Sequence, residues 1–168
     1  MEIWRRFFLS AMILVPTMAL AQSQQPGPQA AFSIAISAPQ TVVKSGSDVT
    51  VNIALTNASG EKINVGQDVS RKGEFHYQFD IRDGKRNHAT KTKYFRSLRG
   101  DEVGRGAVIM RGTIIRTLQP GQTLLDEVNL TKLFDLNQPG KYTIQVERRD
   151  EDSKIVVKSN VIEVTVTE

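Results

Sequence analysis

The stretch "LNQPGKYTIQVE", Leu136 to Glu147, decides the fold. Pro139 lacks an N–H and restricts the residue before it, so any helical turn that precedes it ends there. Gly140 accepts the positive φ of a tight turn. Beyond it, Tyr142, Ile144 and Val146 alternate with Thr143, Gln145 and Glu147. A period of two puts one face against a core and the other in water, which defines a β-strand. Tyr142 enters the core at the corner, and its hydroxyl is expected to bond a backbone group nearby.

The same period recurs along the chain. It runs through Phe32, Ile34 and Ile36, through Val49, Val51, Ile53 and Leu55, and through Phe75, Tyr77, Phe79 and Ile81. Turn-forming stretches separate these runs, among them "NASGEK" at 57–62, "QPGQ" at 119–122 and "RDEDSK" at 149–154. Asp83-Gly84 reads as a hairpin turn, since both residues tolerate positive φ. Near the end of the chain, Ile155, Val157, Ser159 and Val161 share one parity, and Ile162, Val164 and Val166 the other. A bulge at Ser159-Asn160 would reconcile the two faces. "LTKLFDL", 130–136, reads as a single helical turn capped by Asn129 or Thr131. Short strands with regular turns, and no run of βαβ units, predict an all-β antiparallel sandwich of about seven to nine strands. Its expected core is Phe32, Ile34, Val49, Val51, Ile53, Leu55, Phe75, Tyr77, Phe79, Tyr142, Ile144 and Val146.

The N-terminus carries Arg5 and Arg6, then an apolar run from Phe7 to Val15, then Ala19-Leu20-Ala21. This is the layout of an export signal cut after Ala21, and the paired arginines also fit a twin-arginine signal. Residues 22–30, "QSQQPGPQA", read as a flexible spacer and 31–168 as one domain. Removing residues 1–21 lowers the formal charge of +4 by one. The mature chain is then expected to carry no membrane-spanning segment and to reach the periplasm or the extracellular space. No Cys is present, which excludes disulfides, thiolate metal sites, Cys nucleophiles and a lipidated Cys. His76 and His88 are the only histidines, too few for a His-based metal site.

"LQPGQTLLDEVNLTKLFDLNQPGKYTIQVE", 118–147, resembles the second half of an immunoglobulin-like sandwich of exported bacterial proteins. The Leu-x-Pro-Gly turn, the Asn-Leu-Thr crossover and the Pro-Gly-Lys-Tyr entry carry the likeness. Tyr142 is similar to a tyrosine corner, with Ile144 where antibody domains place a Cys. "SGSDVTVNIALTNASGEKI", 45–63, is similar to the second and third strands of such domains. The layout also resembles the accessory sandwich of deuterolysin-type metalloproteases, although no His-Glu-x-x-His is present. The resemblance implies an immunoglobulin-like architecture and no particular activity.

Chemistry-bearing patterns are sparse. Ser70 and Ser97 have no sequence coupling to His76 or His88, and no nucleophile elbow occurs. The acidic "DED" at 150–152 lacks the spacing and glycine of a Ca²⁺ loop, and reads as a solvated turn. "RGDEVGRGAVIMRG", 99–112, lacks the Gly-Lys-Ser/Thr ending of a phosphate loop. No cofactor motif, no metal site and no specific nucleic-acid motif is read, so the chain is expected not to be an enzyme. His76 falls on the wet face of its run and is expected to be solvated.

Charge supplies the one non-architectural signal. "KRNHATKTKYFRSLR", Lys85 to Arg99, holds six Lys or Arg and no acid. Such a cluster attracts an acidic partner, either a protein or an anionic cell-envelope polymer. The expected binding residues are Lys85, Arg86, Lys91, Lys93, Arg96 and Arg99 for steering, with Tyr94 and Phe95 for contact, on a long hairpin or an enlarged loop spanning 83–107 and inserted between central strands. Lys91, Lys93 and Tyr94 are expected to share a strand with Thr90 and Thr92. The leading reading is an exported, non-catalytic binding or accessory module. The alternative is a protease inhibitor that presents a Lys or Arg at its loop tip, and the bland reading is an ordinary solvated face.

Overall fold

Strand alternation is realised where the sequence is most regular. The computed structural model describes residues 29–68, 74–99 and 112–168. The expected export signal and most of the spacer lie outside the described residues. Among the described residues nine strands follow one another: β1 (Phe32–Ser37), β2 (Val42–Lys44), β3 (Thr50–Asn57), β4 (Ile63–Asp68), β5 (Gln78–Arg82), β6 (Thr113–Leu118), β7 (Thr123–Asn129), β8 (Gly140–Arg149) and β9 (Val156–Thr167). The helix α1 (Lys93–Arg99) follows β5, and a 3₁₀ turn, Leu130–Lys132, follows β7.

One layer is the three-stranded sheet β1-β3-β7 and the other the four-stranded sheet β2-β9-β8-β5. A two-stranded ribbon, β4-β6, stands beside them. All pairs are antiparallel except β2 with β9. The architecture is the antiparallel-rich sandwich that the alternation predicts.

The inward faces meet as expected. Phe32, Ile34, Val49, Val51, Ile53, Leu55, Tyr77, Tyr142, Ile144 and Val146 are buried, and Phe75 and Phe79 pack partly buried against them. Burying each large apolar side chain contributes about 1.5–3 kcal/mol, which makes this layer the main source of stability in a chain without disulfides. One polar seam crosses it. Tyr77 donates to the buried Asp126 carboxylate at 2.9 Å, and Gln67 Nε2 donates to its other oxygen at 2.6 Å. Burial first, and then the Asp126 charge, push the Tyr77 hydroxyl above its ordinary range.

The corner and the bulge form as the sequence implies. Tyr142 Oη donates to the Gln138 carbonyl at 2.9 Å, four residues back. Gly140 takes φ 149°, a region that favours glycine. In the β8–β9 hairpin, Gln145 pairs with Val161 and Glu147 with Lys158, so Val146 faces both Ser159 and Asn160. Ser159 Oγ accepts the Val146 N–H at 2.9 Å, which occupies the backbone donor the bulge disturbs. The Asn160 amide then reaches the edge of β1, accepting from Ile36 N at 2.8 Å and donating to Ile36 O at 3.0 Å. One side chain thereby acts as a short length of strand and ties the two layers together.

The acidic "DED" turn is structural at its first residue. Asp150 is buried and accepts from Ala31 N, Ser153 Oγ and Asp152 N. Burial pushes its carboxyl up, but these hydrogen bonds together outweigh it and hold the group below the ordinary carboxylate range. Asn129 caps the 3₁₀ turn by accepting the Thr131 N–H at 3.1 Å. That turn is shorter than the 130–136 expected, because Phe134 leaves it to pair with Lys91.

Candidate partner-binding surface

The basic segment begins where β5 ends. Asp83 organises the turn: Oδ1 accepts the N–H groups of Lys85 and Asn87, both at 2.8 Å, and Oδ2 accepts Asn87 Nδ2 at 3.1 Å. The bonds from Asn87 are the largest reason that its carboxyl is held below the usual range. The left-handed position of this turn falls on Arg86, φ 68°, and not on Asp83 or Gly84. A side chain there costs roughly 1–2 kcal/mol, which the Asp83 bonds offset. Lys85 and Arg86 are both exposed at the tip.

The chain then folds back on β5 through Ala89 N to Ile81 O at 2.9 Å. Next it runs along 132–135: Asp135 N bonds Thr90 O at 2.8 Å, and Thr92 N bonds Leu133 O at 2.9 Å. Thr92 Oγ1 donates to the Lys132 carbonyl at 2.6 Å. The same hydroxyl accepts the Phe95 N–H at 3.1 Å, which caps the start of α1. The strand expected for Lys91, Lys93 and Tyr94 is therefore replaced: Lys91 forms a single bridge to Phe134, and Lys93 opens a helix. The N-cap threonine and the apolar pair Phe95 and Leu98, three apart, override the alternation.

Phe95 is corrected as a contact residue. It is only 5% exposed and packs on Phe134, ring centroids 5.1 Å apart. Phe134 in turn meets Phe79 edge-on at 6.3 Å. Tyr94 is 38% exposed, and its hydroxyl donates to the buried Glu74 at 3.0 Å. It can therefore offer only ring surface to a partner. Arg96 Nη1 holds the Lys91 carbonyl at 2.7 Å, and Lys91 Nζ stands 5.4 Å from the Phe95 ring. Arg99 ends α1, and residues 100–107 of the expected loop lie outside the described residues. The loop does not sit between central strands, because β5 is the edge of its sheet.

Lys85, Arg86, Lys91 and Lys93 are exposed and form no ion pair with a described carboxylate. Two further lysines join this end. Lys132 adjoins Thr92 through its carbonyl, and Lys141 lines the cleft beside the tip. Both were missed because their neighbourhood is tertiary and neither lies in a charge run. Lys141 is paired with Glu163 at 2.9 Å. The cleft measures about 510 Å³ and separates 83–90 from the tyrosine corner. Its acids are Asp83 and Asp135, and burial, then Asp135 and then Asp83 raise the Tyr142 hydroxyl there. The cleft lining thus sets two lysines, Lys85 and Lys141, beside two acids, Asp83 and Asp135.

The remaining candidates are placed separately. His88 Nδ1 stands 3.2 Å from Asp80 on an exposed strand edge. Ser97 Oγ donates to the Tyr94 carbonyl, and Ser70 lies outside the described residues. His76 is half-buried against Gly66 and not solvated as expected, because β5 starts only at Gln78 and the alternation does not reach it. Among the described residues, no group of three His, Asp or Glu side chains is placed to hold a metal ion, and no helix is long and apolar enough to cross a membrane. Asn57, which opens the glycosylation sequon Asn57-Ala58-Ser59, is buried with its amide bonded to Glu61 O and Leu118 O.

No family model matches the chain, and no curated protein matches it. Solved structures similar to it include a β-glucosidase from Erythrobacter marinus, at 15% identity and TM-score 0.41 over 82% of this chain and 16% of that chain. A β-glucosidase from Listeria innocua in complex with glucose aligns at 17% and 0.37, over 82% and 16%. An alkylpurine DNA glycosylase from Pseudomonas fluorescens, bound to DNA containing an abasic site analogue, aligns at 12% and 0.42, over 83% and 31%. The chain spans less than a third of each of these chains. Likenesses of this depth leave the functional reading to the residues themselves.

Proposed function

We propose that the chain is an exported, non-catalytic binding or accessory module that presents its basic end to an acidic partner, either a protein or an anionic cell-envelope polymer. The observation that carries this reading is the set Lys85, Arg86, Lys91 and Lys93, exposed and without ion pairs to described carboxylates, on a backbone anchored by Asp83, Thr92 and Leu133. Export is supported by the arrangement of Arg5, Arg6 and Ala19-Leu20-Ala21. Exposed lysines concentrate acidic partners near this end, and Tyr94 adds ring surface once contact is made. The protease-inhibitor reading of the same loop draws less support. Its Lys85–Arg86 tip is a tight turn stapled by Asp83, and not an extended segment that a protease cleft would accept.

Binding of the chain from Gln22 onward to a heparin-like and a phosphate matrix tests the proposal. The expected result is retention that falls steeply as salt rises past about 0.15 M, where the screening length is about 8 Å. Elution from both at near-zero salt would overturn it. Tight trypsin inhibition without matrix binding would move the reading to the inhibitor.

A further inference from the structure

The outer face of the β1-β3-β7 sheet carries its own pattern. Residues that alternate away from the core form three cross-strand rows. In register these are Ser33, Thr56, Thr123; Ala35, Ala54, Leu125; and Ser37, Asn52, Glu127. The middle row runs small, small, large. Ala35 and Ala54 help to floor a trough of about 670 Å³, and Leu125 lines it while 72% exposed. Knob and recess therefore lie in the same row, two strands apart.

We infer that this face docks, weakly and reversibly, on the same face of a second copy of the chain, about a twofold axis running parallel to β3. Such an axis lays β1 of each copy over β7 of the other and β3 over β3. Each Leu125 then enters the recess above Ala35 of the second copy, and the two Ala54 residues meet near the axis without bulk. In the flanking rows, Glu127 meets the Ser37 hydroxyl, Asn52 meets Asn52, and Thr123 meets Ser33. An acid thus faces a hydroxyl donor, an amide faces an amide that can both donate and accept, and no two like charges oppose each other. A different rotation, about an axis perpendicular to the strands, would bring the Glu127 row over the Thr123 row and lose these pairings.

The face is small. Three strands about 5 Å apart and about 17 Å long give roughly 250 Å² per copy. A lasting interface buries about 800 Å² per partner, so the dimer is weak and transient.

Sedimentation of the chain from Gln22 onward, between roughly 10 µM and 1 mM, tests the inference across the range of weak association. The weight-average mass should rise with concentration. Ala54→Arg places two like charges at the axis and should stay monomeric with an unchanged melting curve. Leu125→Ala should weaken association by about tenfold, and the exchange Ala35→Leu with Leu125→Ala should restore it, since knob and recess only trade strands. Because the chain has no Cys, Ala54→Cys with a short bismaleimide should give crosslinked dimer, and Thr117→Cys on β6 should not. A monomer at the highest concentration overturns the inference. So does an exchange variant no better than Leu125→Ala, or equal crosslinking at both cysteine positions, since either marks unspecific stickiness.

Discussion

The β8–β9 hairpin and the basic segment 83–99 enclose the same cleft, yet they were built by different rules. The hairpin is local: its corner, its alternation and its bulge follow from residues that are neighbours in sequence. The basic segment is tertiary. Its course is set by bonds from Thr90 and Thr92 to residues some forty positions away, and by Phe95 reaching Phe134. A regular stretch thus proved to be architecture, and an irregular one hides core residues among its charges.

Phe95→Ala probes this contrast most strongly. It should cost about 3–5 kcal/mol in denaturant unfolding, whereas Lys93→Ala two positions away should stay within about 0.5 kcal/mol. Equal effects would mean that the aromatic is not part of the core. On the hairpin side, Asn160→Ala leaves the Ile36 N–H and carbonyl without that partner and should cost about 1–3 kcal/mol. Hydrogen exchange at Ile36 should quicken with it; unchanged protection would show that the amide bridge does not hold the layers. Tyr142→Phe removes one hydrogen bond and should cost about 1 kcal/mol, with binding to anionic matrices intact.

The smallest effect lies at acid pH. The Asp150 carboxyl is held below its unfolded value, so its contribution is present above about pH 3.9 and is lost as pH falls through the lower folded value. In that window the unfolded chain binds more protons, so stability rises with pH. Asp150→Asn should flatten the acid limb of the stability curve, and an unaltered limb would assign acid unfolding to other carboxylates.

These cases show where sequence reading succeeds. Val49, Val51, Ile53 and Leu55 announce their burial because strand parity needs no knowledge of the partner strand. Ser159-Asn160 could be located because a change of parity must be absorbed by one extra residue. The Asn160 bridge to β1 was not legible, since nothing local says which backbone lies opposite. For the candidate surface, the exposed cations were legible as a charge run, and α1 was not. Thr92 followed by Phe95 and Leu98 held the signal, but the threonines at 90 and 92 mimicked a strand. Asp83-Gly84 marked the turn correctly, although the strained position fell on Arg86, where the carboxylate of Asp83 fixes the backbone.

In the proposed division of roles the cations of 85–93 bind and the tyrosine corner only supports them. The direct measurement is the salt concentration that elutes three proteins from a heparin-like matrix, each paired with its unfolding midpoint: the unaltered chain, Tyr142→Phe, and the combined Lys85→Gln, Arg86→Gln, Lys91→Gln and Lys93→Gln variant. Tyr142→Phe should elute at an unchanged point despite its lower midpoint. The combined variant should elute early with its midpoint nearly unchanged. Late elution of the combined variant, or early elution of Tyr142→Phe, would overturn this division of roles.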